Sequence, residues 1–357
     1  GIAFTNNAAG IVTNNGILTN SASGTTASIV NNGVINNNLT LTNNGVLTNN
    51  LTLNNATGGT ITQSGPTFTN AATGTLTNFG SLAISSTRTI TNNGALVNSG
   101  TITTTGTLSH GAGSFYRHNF SSAAATVGAI PTSTWNSTST CEILACGNTG
   151  SAPTGLNQAF GHFIWNNTTQ PIDVNFLGTM SIPTTGNFTL SSTNGFNIIL
   201  VSSAAGGATS IGGNFTLSAG NITIIKVNNV NKTNQLSITG TYTQTGGMMT
   251  IANCSGSLAG NTANGTLTVG GVSNISGGVM NVNLSTWVGA GGNGTYSAGG
   301  LITLSGTGTI NGCSSSALSS SGVAGTITAS GGLTVNAGGT LNLNSSTTTG
   351  GGGSTVL

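Results

Sequence analysis

Few side chains in this sequence are suited to chemistry. Of its 357 residues, four are cationic and two are carboxylates. The carboxylates, Glu142 and Asp173, stand 31 positions apart (173 minus 142). A paired-carboxylate glycosidase would need the two groups to meet at about 5 to 9 Å. The alternative is that each acid is a lone charge or pairs with a nearby cation. We expect the alternative, and therefore no catalytic residue and no enzyme.

The densest group of polar and aromatic side chains lies between positions 110 and 165. Its members are candidate contacts for a sugar or another partner, since aromatic faces stack on sugar rings: Tyr116, Arg117, His118, Trp135 and Trp165. The competing interpretation, which we favour, is an irregular structural junction. His110 and His118 do not have a typical metal-ligand spacing. We predict neither a metal site nor a cofactor.

Four cysteines leave the redox compartment open. Cys141 and Cys146 are close enough in sequence to form a small disulfide in an oxidising compartment, or they remain two thiols. The sequence does not determine whether Cys254 and Cys313 pair. A zinc site would require further ligands, and no histidine lies beside these cysteines.

The composition excludes several classes of protein. Only 2% of the residues are charged, against about a quarter in ordinary domains. A net charge of +2 cannot form a nucleic-acid footprint. A chain that is 36% apolar is unlike disordered, charge-rich sequences. No apolar run approaches the roughly 18 residues of a membrane helix, and residues 1–6 lack the features of a signal peptide.

Internal repeats dominate the second half of the sequence. A Gly-Asn-Phe-Thr-Leu-Ser unit occurs twice, followed by a degenerate third copy, at 27-residue intervals: 186–191, 213–218 and 240–245. Looser copies follow at intervals of 29 to 32 residues. In a solenoid, equivalent residues stack turn upon turn. The predicted core stack is Phe188, Phe215 and Tyr242, with Leu190 and Leu217 beside it.

Shorter units of similar design fill the first 110 residues. Each has a few β-forming residues in which apolar positions alternate with Thr or Asn, bounded by Asn-Gly or Gly-Gly turns. Alternation predicts an apolar inner face and an outer face of Thr and Asn. Gly and Asn at the corners would supply the positive φ of tight turns. Stacked Asn side chains at the corners would satisfy one another's amides.

These repeats predict an all-β chain. Thr, Asn, Gly and Ser disfavour helix interiors. Immunoglobulin-like arrays repeat at about 100 residues, whereas parallel β-helices use shorter coils. We therefore predict a right-handed parallel β-helix, or β-solenoid, with coils of about 20–30 residues. Its expected parts are a short-repeat solenoid over 1–110, an irregular junction over 111–183 and a long-repeat solenoid over 184–357.

Two phrases carry a family resemblance. The segments 134–141 (TWNSTSTC) and 155–166 (GLNQAFGHFIWN), followed by Gly-Asn-Phe-Thr units, resemble large secreted repeat proteins of Bacteroidota. The Asn-Gly repeats of 1–110 resemble bacterial β-helix adhesins and filament proteins. The resemblance implies export by the type IX route and display on, or release from, the cell surface.

Together these features predict an extracellular structural β-solenoid, a segment of a cell-surface filament, sheath or adhesin stalk that self-associates. The first alternative is a module that binds carbohydrate or another surface through 110–170. A third hypothesis is an ice-binding array of Thr-x-Thr units. Their irregular spacing in the sequence, and the ordinary β-propensity of Thr, argue against that array.

Overall fold

The computed structural model describes residues 3–21, 27–176, 181–182, 186–201, 208–227, 231–254, 262–285, 292–315, 323–344 and 353–356. Within these ranges the regular structure is β-strand, and the strands pair in parallel from coil to coil. The predicted parallel β-solenoid is confirmed. No helix in the described ranges has the length and apolar character required to cross a bilayer.

The chain forms two compact units. Unit 1 comprises Gly1–Asn148 and Pro153–Ile164, and unit 2 comprises Thr149–Ala152 and Trp165–Leu357. The division falls inside the segment 111–183, where the sequence changes character.

Unit 1 consists of short strands. In chain order they are β1 (Ala3–Asn6), β2 (Ile11–Asn14), β3 (Ile17–Asn20), β4 (Ser28–Asn31), β5 (Val34–Asn37), β6 (Thr40–Asn43), β7 (Val46–Asn49), β8 (Thr52–Asn55), β9 (Thr60–Gln63), β10 (Thr67–Asn70), β11 (Thr75–Asn78), β12 (Ser81–Ile84), β13 (Thr89–Asn92), β14 (Ala95–Asn98), β15 (Thr101–Thr104), β16 (Thr107–His110), β17 (Phe115–Phe120), β18 (Thr134–Trp135), β19 (Thr140–Cys146) and β20 (His162–Asn166), which contains the boundary with unit 2.

These strands line three sheets. Sheet A contains β1, β4, β7, β10, β13, β16 and β18; sheet B contains β2, β5, β8, β11, β14, β17 and β19; sheet C contains β3, β6, β9, β12 and β15. Each of the first five coils adds one strand to each sheet. Equivalent residues in successive coils are 18 to 25 positions apart. The strands keep the same length from coil to coil, so the difference lies in the turns that connect them.

The four-residue strand sets the orientation of every side chain. Typical strands read Thr-Leu-Thr-Asn, with the second and fourth residues buried and the first and third at least partly exposed. Parallel pairing without a shift places Leu47, Phe68 and Ile90 in one column of sheet A, and all three are fully buried. Successive coils thus bury a continuous apolar column.

The expectation that Asn faces outward is wrong for the last residue of these strands. Asn31, Asn49 and Asn70 are fully buried at that position. Thr at the third position does face outward, because a strand alternates its side chains residue by residue. The fourth residue therefore points inward whatever its polarity, and its amide must find partners inside the solenoid.

The prediction of positive φ at the corner glycines is confirmed at Gly58 but not at the Asn-Gly and Ser-Gly corners of unit 1. Among the described residues, Gly16, Gly33, Gly45, Gly94 and Gly100 do not have the positive φ expected of them. A Cβ at Gly94 would instead collide with the carbonyl oxygens of Gly74 and Ala71, in the coil before. Coils approach each other so closely at Gly33, Gly45, Gly94 and Gly100 that no larger residue fits, whereas a Cβ at Gly16 would meet no other atom.

Unit 2 uses longer coils. Its strands are β21 (Val174–Asn175), β22 (Ser181–Ile182), β23 (Phe188–Ser192), β24 (Asn197–Val201), β25 (Ala208–Ile211), β26 (Phe215–Leu217), β27 (Asn221–Val227), β28 (Lys232–Ile238), β29 (Tyr242–Cys254), β30 (Ala263–Val269), β31 (Ser273–Ser285), β32 (Gly292–Ala298), β33 (Ile302–Leu304), β34 (Thr309–Ser315), β35 (Val323–Ala329), β36 (Leu333–Val335), β37 (Thr340–Asn344) and β38 (Gly353–Val356).

Three stacks of strands run through unit 2. One contains β23, β26, β29, β31, β33 and β36, and the second contains β21, β24, β27, β29, β31, β34 and β37. The 13-residue strands β29 and β31 belong to both. The third stack contains β22, β25, β28, β30, β32, β35 and β38.

The repeated Phe/Tyr position of unit 2 forms a stacked column. Phe188 pairs with Phe215, which pairs with Tyr242. Ring centroids are 4.9 Å apart for the first pair and 5.6 Å for the second. Leu190 and Leu217 are paired and fully buried beside them. The 27-residue interval in the sequence is thus one coil of the solenoid.

Candidate functional site

The polar and aromatic group proposed as a contact site lies largely inside the protein. Tyr116 and His118 on β17 are fully buried, because they continue the inward positions of Leu96 and Asn98 on β14. Trp135 is half-buried. An exposed aromatic platform is therefore absent from these described residues of unit 1, and Tyr116 and His118 cannot stack on a sugar.

Trp165 is likewise a core residue. It is fully buried in unit 2, packs against Phe176 at 5.1 Å between ring centroids, and donates from Nε1 to Gln170 Oε1 at 3.0 Å. Of the five proposed contacts, only Trp135 and Arg117 retain accessible side-chain surface. Their Tyr and His neighbours supply core packing instead of a binding face.

The main polar structure of unit 1 is a set of buried amide ladders. In each ladder, the Nδ2 of one strand-ending Asn donates to the side-chain oxygen of its counterpart one coil later, at 2.6 to 2.8 Å. The sheet A ladder runs through Asn6, Asn31, Asn49, Asn70 and Asn92. The sheet B ladder runs through Asn14, Asn37, Asn55, Asn78 and Asn98. The sheet C ladder runs through Asn20, Asn43 and Gln63.

Each rung also ties side chain to backbone. Asn55 Nδ2, for example, lies within hydrogen-bond distance of Asn78 Oδ1 at 2.7 Å and of the Ser81 carbonyl at 3.0 Å. A buried polar side chain is costly unless its hydrogen bonds are satisfied. The ladders satisfy these amides coil by coil, and every donor in a ladder points the same way along the chain.

The sheet A ladder ends on a histidine and the sheet B ladder on a tyrosine. Asn92 Nδ2 approaches His110 Nδ1 at 3.2 Å, and Asn98 Nδ2 approaches the Tyr116 hydroxyl at 3.3 Å. Since the amide donates, His110 Nδ1 accepts, which places the proton of a neutral imidazole on Nε2. His118 Nε2 donates to the Val127 carbonyl at 2.6 Å.

Burial keeps both imidazoles neutral. It lowers the pKa of His110 to about 3, from an ordinary value of 6.5. Burial also lowers the pKa of His118, to about 4, and the hydrogen bond to Val127 offsets part of that shift. His110 stacks on Trp135 with 4.1 Å between ring centroids. A protonated His110 would present a donor to the Asn92 donor and would break the end of the ladder.

We expect the protein to lose stability as the pH falls from about 6.5 towards 3. In the unfolded chain, His110 and His118 are protonated with an ordinary pKa of about 6.5. In the folded chain, His110 is protonated only near pH 3 and His118 only near pH 4, because burial lowers the pKa of each. Each unit of pKa difference corresponds to about 1.4 kcal/mol, so the free energy of unfolding falls by several kcal/mol across this interval. Urea midpoints at neutral pH and at about pH 4 measure the change.

The matched variant is His110→Gln, since Gln63 performs the same accepting role in the sheet C ladder. This variant is expected to show a weaker dependence on pH than the parent chain. A parent midpoint that stays constant between neutral pH and about pH 4 would contradict the assignment.

The two carboxylates each contact a cation. Glu142 Oε2 lies 2.9 Å from Arg117 Nε, because parallel pairing puts Arg117 beside Glu142 on the next coil. Arg117 also lies over the Phe115 ring, at 5.0 Å. This ion pair matches the local pairing that we preferred to a carboxylate pair.

Asp173 pairs with Lys226 at 3.1 Å. Partial burial by itself raises the pKa of Asp173, but hydrogen bonds from the Asn197 backbone and side chain, together with the Lys226 ammonium, outweigh it. The net effect is a pKa below the ordinary value. The group is thus held ionised, the opposite of what a general acid requires.

The proposed disulfide between Cys141 and Cys146 is wrong. Both residues lie on β19, and a strand rises about 3.3 Å per residue, so their Cα atoms are separated by roughly 15 Å. Disulfides need Cα atoms within about 7 Å. Burial raises the pKa of the Cys141 thiol well above its ordinary value, and the nearby Glu142 adds to the shift. Cys254 and Cys313 are also buried thiols.

Sequence reasoning predicted Asn ladders at the corners without identifying their members. The available signal was the Asn that recurs as the last residue of most of these four-residue strands. We did not use it because Thr and Asn were both expected to face outward. The residues that end two of the ladders, His110 and Tyr116, were not anticipated in that role, because they belong to a segment with a different composition. Gln244, buried in unit 2 and accepting from the Tyr242 hydroxyl at 2.8 Å, was also missed.

Across the described ranges, no three His, Cys, Asp or Glu side chains come together in an arrangement that could hold a metal ion. Comparisons of the chain with protein-family models, curated proteins and solved structures gave no match.

Proposed function

We propose that this chain is a non-catalytic structural β-solenoid that forms a segment of an extracellular, cell-surface filament, sheath or adhesin stalk. The observation that carries the proposal is the set of amide ladders and apolar columns that continue in register from coil to coil. The resemblance to secreted Bacteroidota repeat proteins supports the cellular location.

Such a structure favours resistance to mechanical force. Each coil contributes backbone hydrogen bonds to its neighbours, and the buried ladders add side-chain hydrogen bonds parallel to them. Cooperative networks of this kind are strong while every member remains satisfied. Pulling one coil away would leave unpaired amides on both sides of the break. The free energy required is therefore the sum over many hydrogen bonds and is larger than that of any single contact.

The surface supports self-association. Soluble proteins resist aggregation through charged, mixed surfaces, but this chain has six charged side chains, four of them in ion pairs. The outward positions are mainly Thr, Ser and Asn in unit 1. Contacts between such faces would depend little on salt, because there are few charges to screen.

Electron microscopy of the native protein, without denaturant, tests the proposal. We expect fibres or laterally ordered assemblies with a uniform repeat, formed equally at low and at high ionic strength. Dispersed single particles at all protein concentrations and both ionic strengths would contradict a self-assembling structural role.

A further inference from the structure

An amine, a carboxylate and a carboxamide from three successive coils of unit 2 meet at Asp173. The Oδ1 atom of Asp173 accepts hydrogen bonds from the backbone N–H and from the Nδ2 of Asn197, at 2.9 and 3.0 Å. The Oδ2 atom lies 3.1 Å from the Nζ of Lys226. One carboxylate therefore holds the lysine amine on one oxygen and the asparagine amide on the other.

The parallel strands fix where these three residues stand. Val174, next to Asp173, pairs with Ile198, and Asn197 pairs with Asn221 at the start of the strand that carries Lys226. All three side chains are half-buried. The chain has one other lysine, Lys232, which lies on β28 in a different stack of strands. The juxtaposition is thus specific to Lys226.

An amine beside a carboxamide can displace ammonia from it, and the product is an isopeptide bond. A lysine amine is a nucleophile once it has lost its proton, and a base in contact with it can remove that proton. Asp173 is ionised in its ion pair with Lys226. An ionised carboxylate accepts protons but is a poor target for an amine, so the group open to attack is the Asn197 amide.

We propose that Lys226 forms an isopeptide bond with Asn197 and that Asp173 carries the proton between them. Asp173 Oδ2 takes a proton from the Lys226 ammonium, and the neutral Nζ attacks the Asn197 Cγ. The Nζ–Cγ bond forms, the Cγ–Nδ2 bond breaks, and Asp173 Oδ1 passes its proton to Nδ2, which leaves as ammonia. The second proton that Nζ gives up departs with the ammonia as ammonium, so the reaction needs no other reactant.

Proximity makes this reaction feasible. Well-placed groups within one molecule react as though present at about 10⁵ to 10⁸ M, provided that the reacting atoms can approach to roughly 3–3.5 Å. The flexible four-carbon stem of lysine lets Nζ move from the Asp173 oxygen to the neighbouring amide carbon. Each molecule reacts once, slowly, because the ammonium must first surrender its proton. The chain modifies itself and does not turn over a substrate.

The bond would join two neighbouring coils covalently, since Asn197 lies on β24 and Lys226 on β27, which pair directly. Separating these coils by force would then require breaking a covalent bond as well as the hydrogen bonds between strands. The bond forms within one chain, so its presence does not depend on whether the protein assembles into filaments.

Mass spectrometry of the denatured full chain, after storage for days in mildly alkaline buffer, tests the inference. The bond lowers the mass by one ammonia, and fragmentation of a proteolytic digest locates it between Asn197 and Lys226. Lys226→Arg keeps a cation beside Asp173 but removes the nucleophile. It also measures the ammonia lost when Asn-Gly turns form succinimides. Lys232→Arg is the matched control, the same substitution at the other lysine.

We expect the cross-linked peptide to accumulate in the parent chain and in Lys232→Arg and to be absent from Lys226→Arg. Asp173→Asn is expected to slow its formation roughly 100-fold, the usual range for loss of a general base, with an unchanged circular dichroism spectrum. A parent chain in which Lys226 stays unlinked after storage overturns the proposal. So does loss of water in place of ammonia, because Asp173 would then be the group attacked, and so does an unchanged rate in Asp173→Asn.

Discussion

Replacing Phe215 by Asp is expected to unfold unit 2. The Phe215 ring is fully buried between Phe188 and Tyr242, with centroids at 4.9 and 5.6 Å. Truncating a buried Phe costs about 3–5 kcal/mol, and an unpaired carboxylate in the same place adds several more. Whole domains have only about 5–15 kcal/mol of stability, so the loss is comparable with the total.

The control is Thr216→Ala, one residue along the same strand. Thr216 is half-exposed and pairs with Thr189 and Thr243 on the outside of the coil. Substitutions at such surface positions usually change stability by no more than about 0.5 kcal/mol. Guanidinium unfolding followed by circular dichroism, with limited proteolysis to locate the unfolded region, distinguishes the two. If both variants unfold at the parent midpoint, the assignment of Phe215 to the core column is wrong.

Asn55→Asp is expected to be the most damaging conservative change in unit 1. Asn55 is fully buried, and its Nδ2 faces three oxygens, those of Gly59, Asn78 and Ser81, at 2.7 to 3.2 Å. Asp has the same shape but offers no N–H, so a carboxylate would confront three acceptors. Breaking a buried, hydrogen-bonded charge or polar network by removing one partner costs roughly 3–5 kcal/mol.

The neighbouring Asn54→Asp provides the matched comparison. Asn54 faces outward, and its side chain donates to Asn36 Oδ1 at 2.9 Å in a part-buried setting. The same charge placed there is expected to cost well under about 1 kcal/mol, because water solvates it. Urea midpoints of the two variants should therefore differ strongly at neutral pH.

Acidic pH gives an independent readout of the ladder. Protonating the buried carboxyl of Asn55→Asp restores one donor, so the difference between the two variants should narrow as the pH falls. Comparison at equal pH cancels the contribution of His110 and His118. A difference that is absent at neutral pH, or that widens in acid, would show that the ladder does not stabilise unit 1.

The candidate site was only partly accessible from the sequence. The local pairing of Glu142 was anticipated, but its Arg117 partner was not, because the two meet only through the register of β17 and β19. The aromatic group was recognised as a cluster, yet its burial depended on which strand face each ring occupies. That choice follows from Leu96 and Asn98 one coil earlier, to which Tyr116 and His118 are paired.

The sequence by itself determined the fold and the core columns of this protein. Alternation along a strand and repetition along the chain are local signals, so Phe188, Phe215 and Tyr242 could be aligned from their 27-residue spacing alone. The tertiary structure decided what faces inward at the end of each strand, where the glycines are indispensable, and which charged side chains meet. Those properties depend on the register between coils. The register cannot be found from the sequence, because the turns vary in length, whereas in the folded chain it is set by the parallel hydrogen bonds between strands.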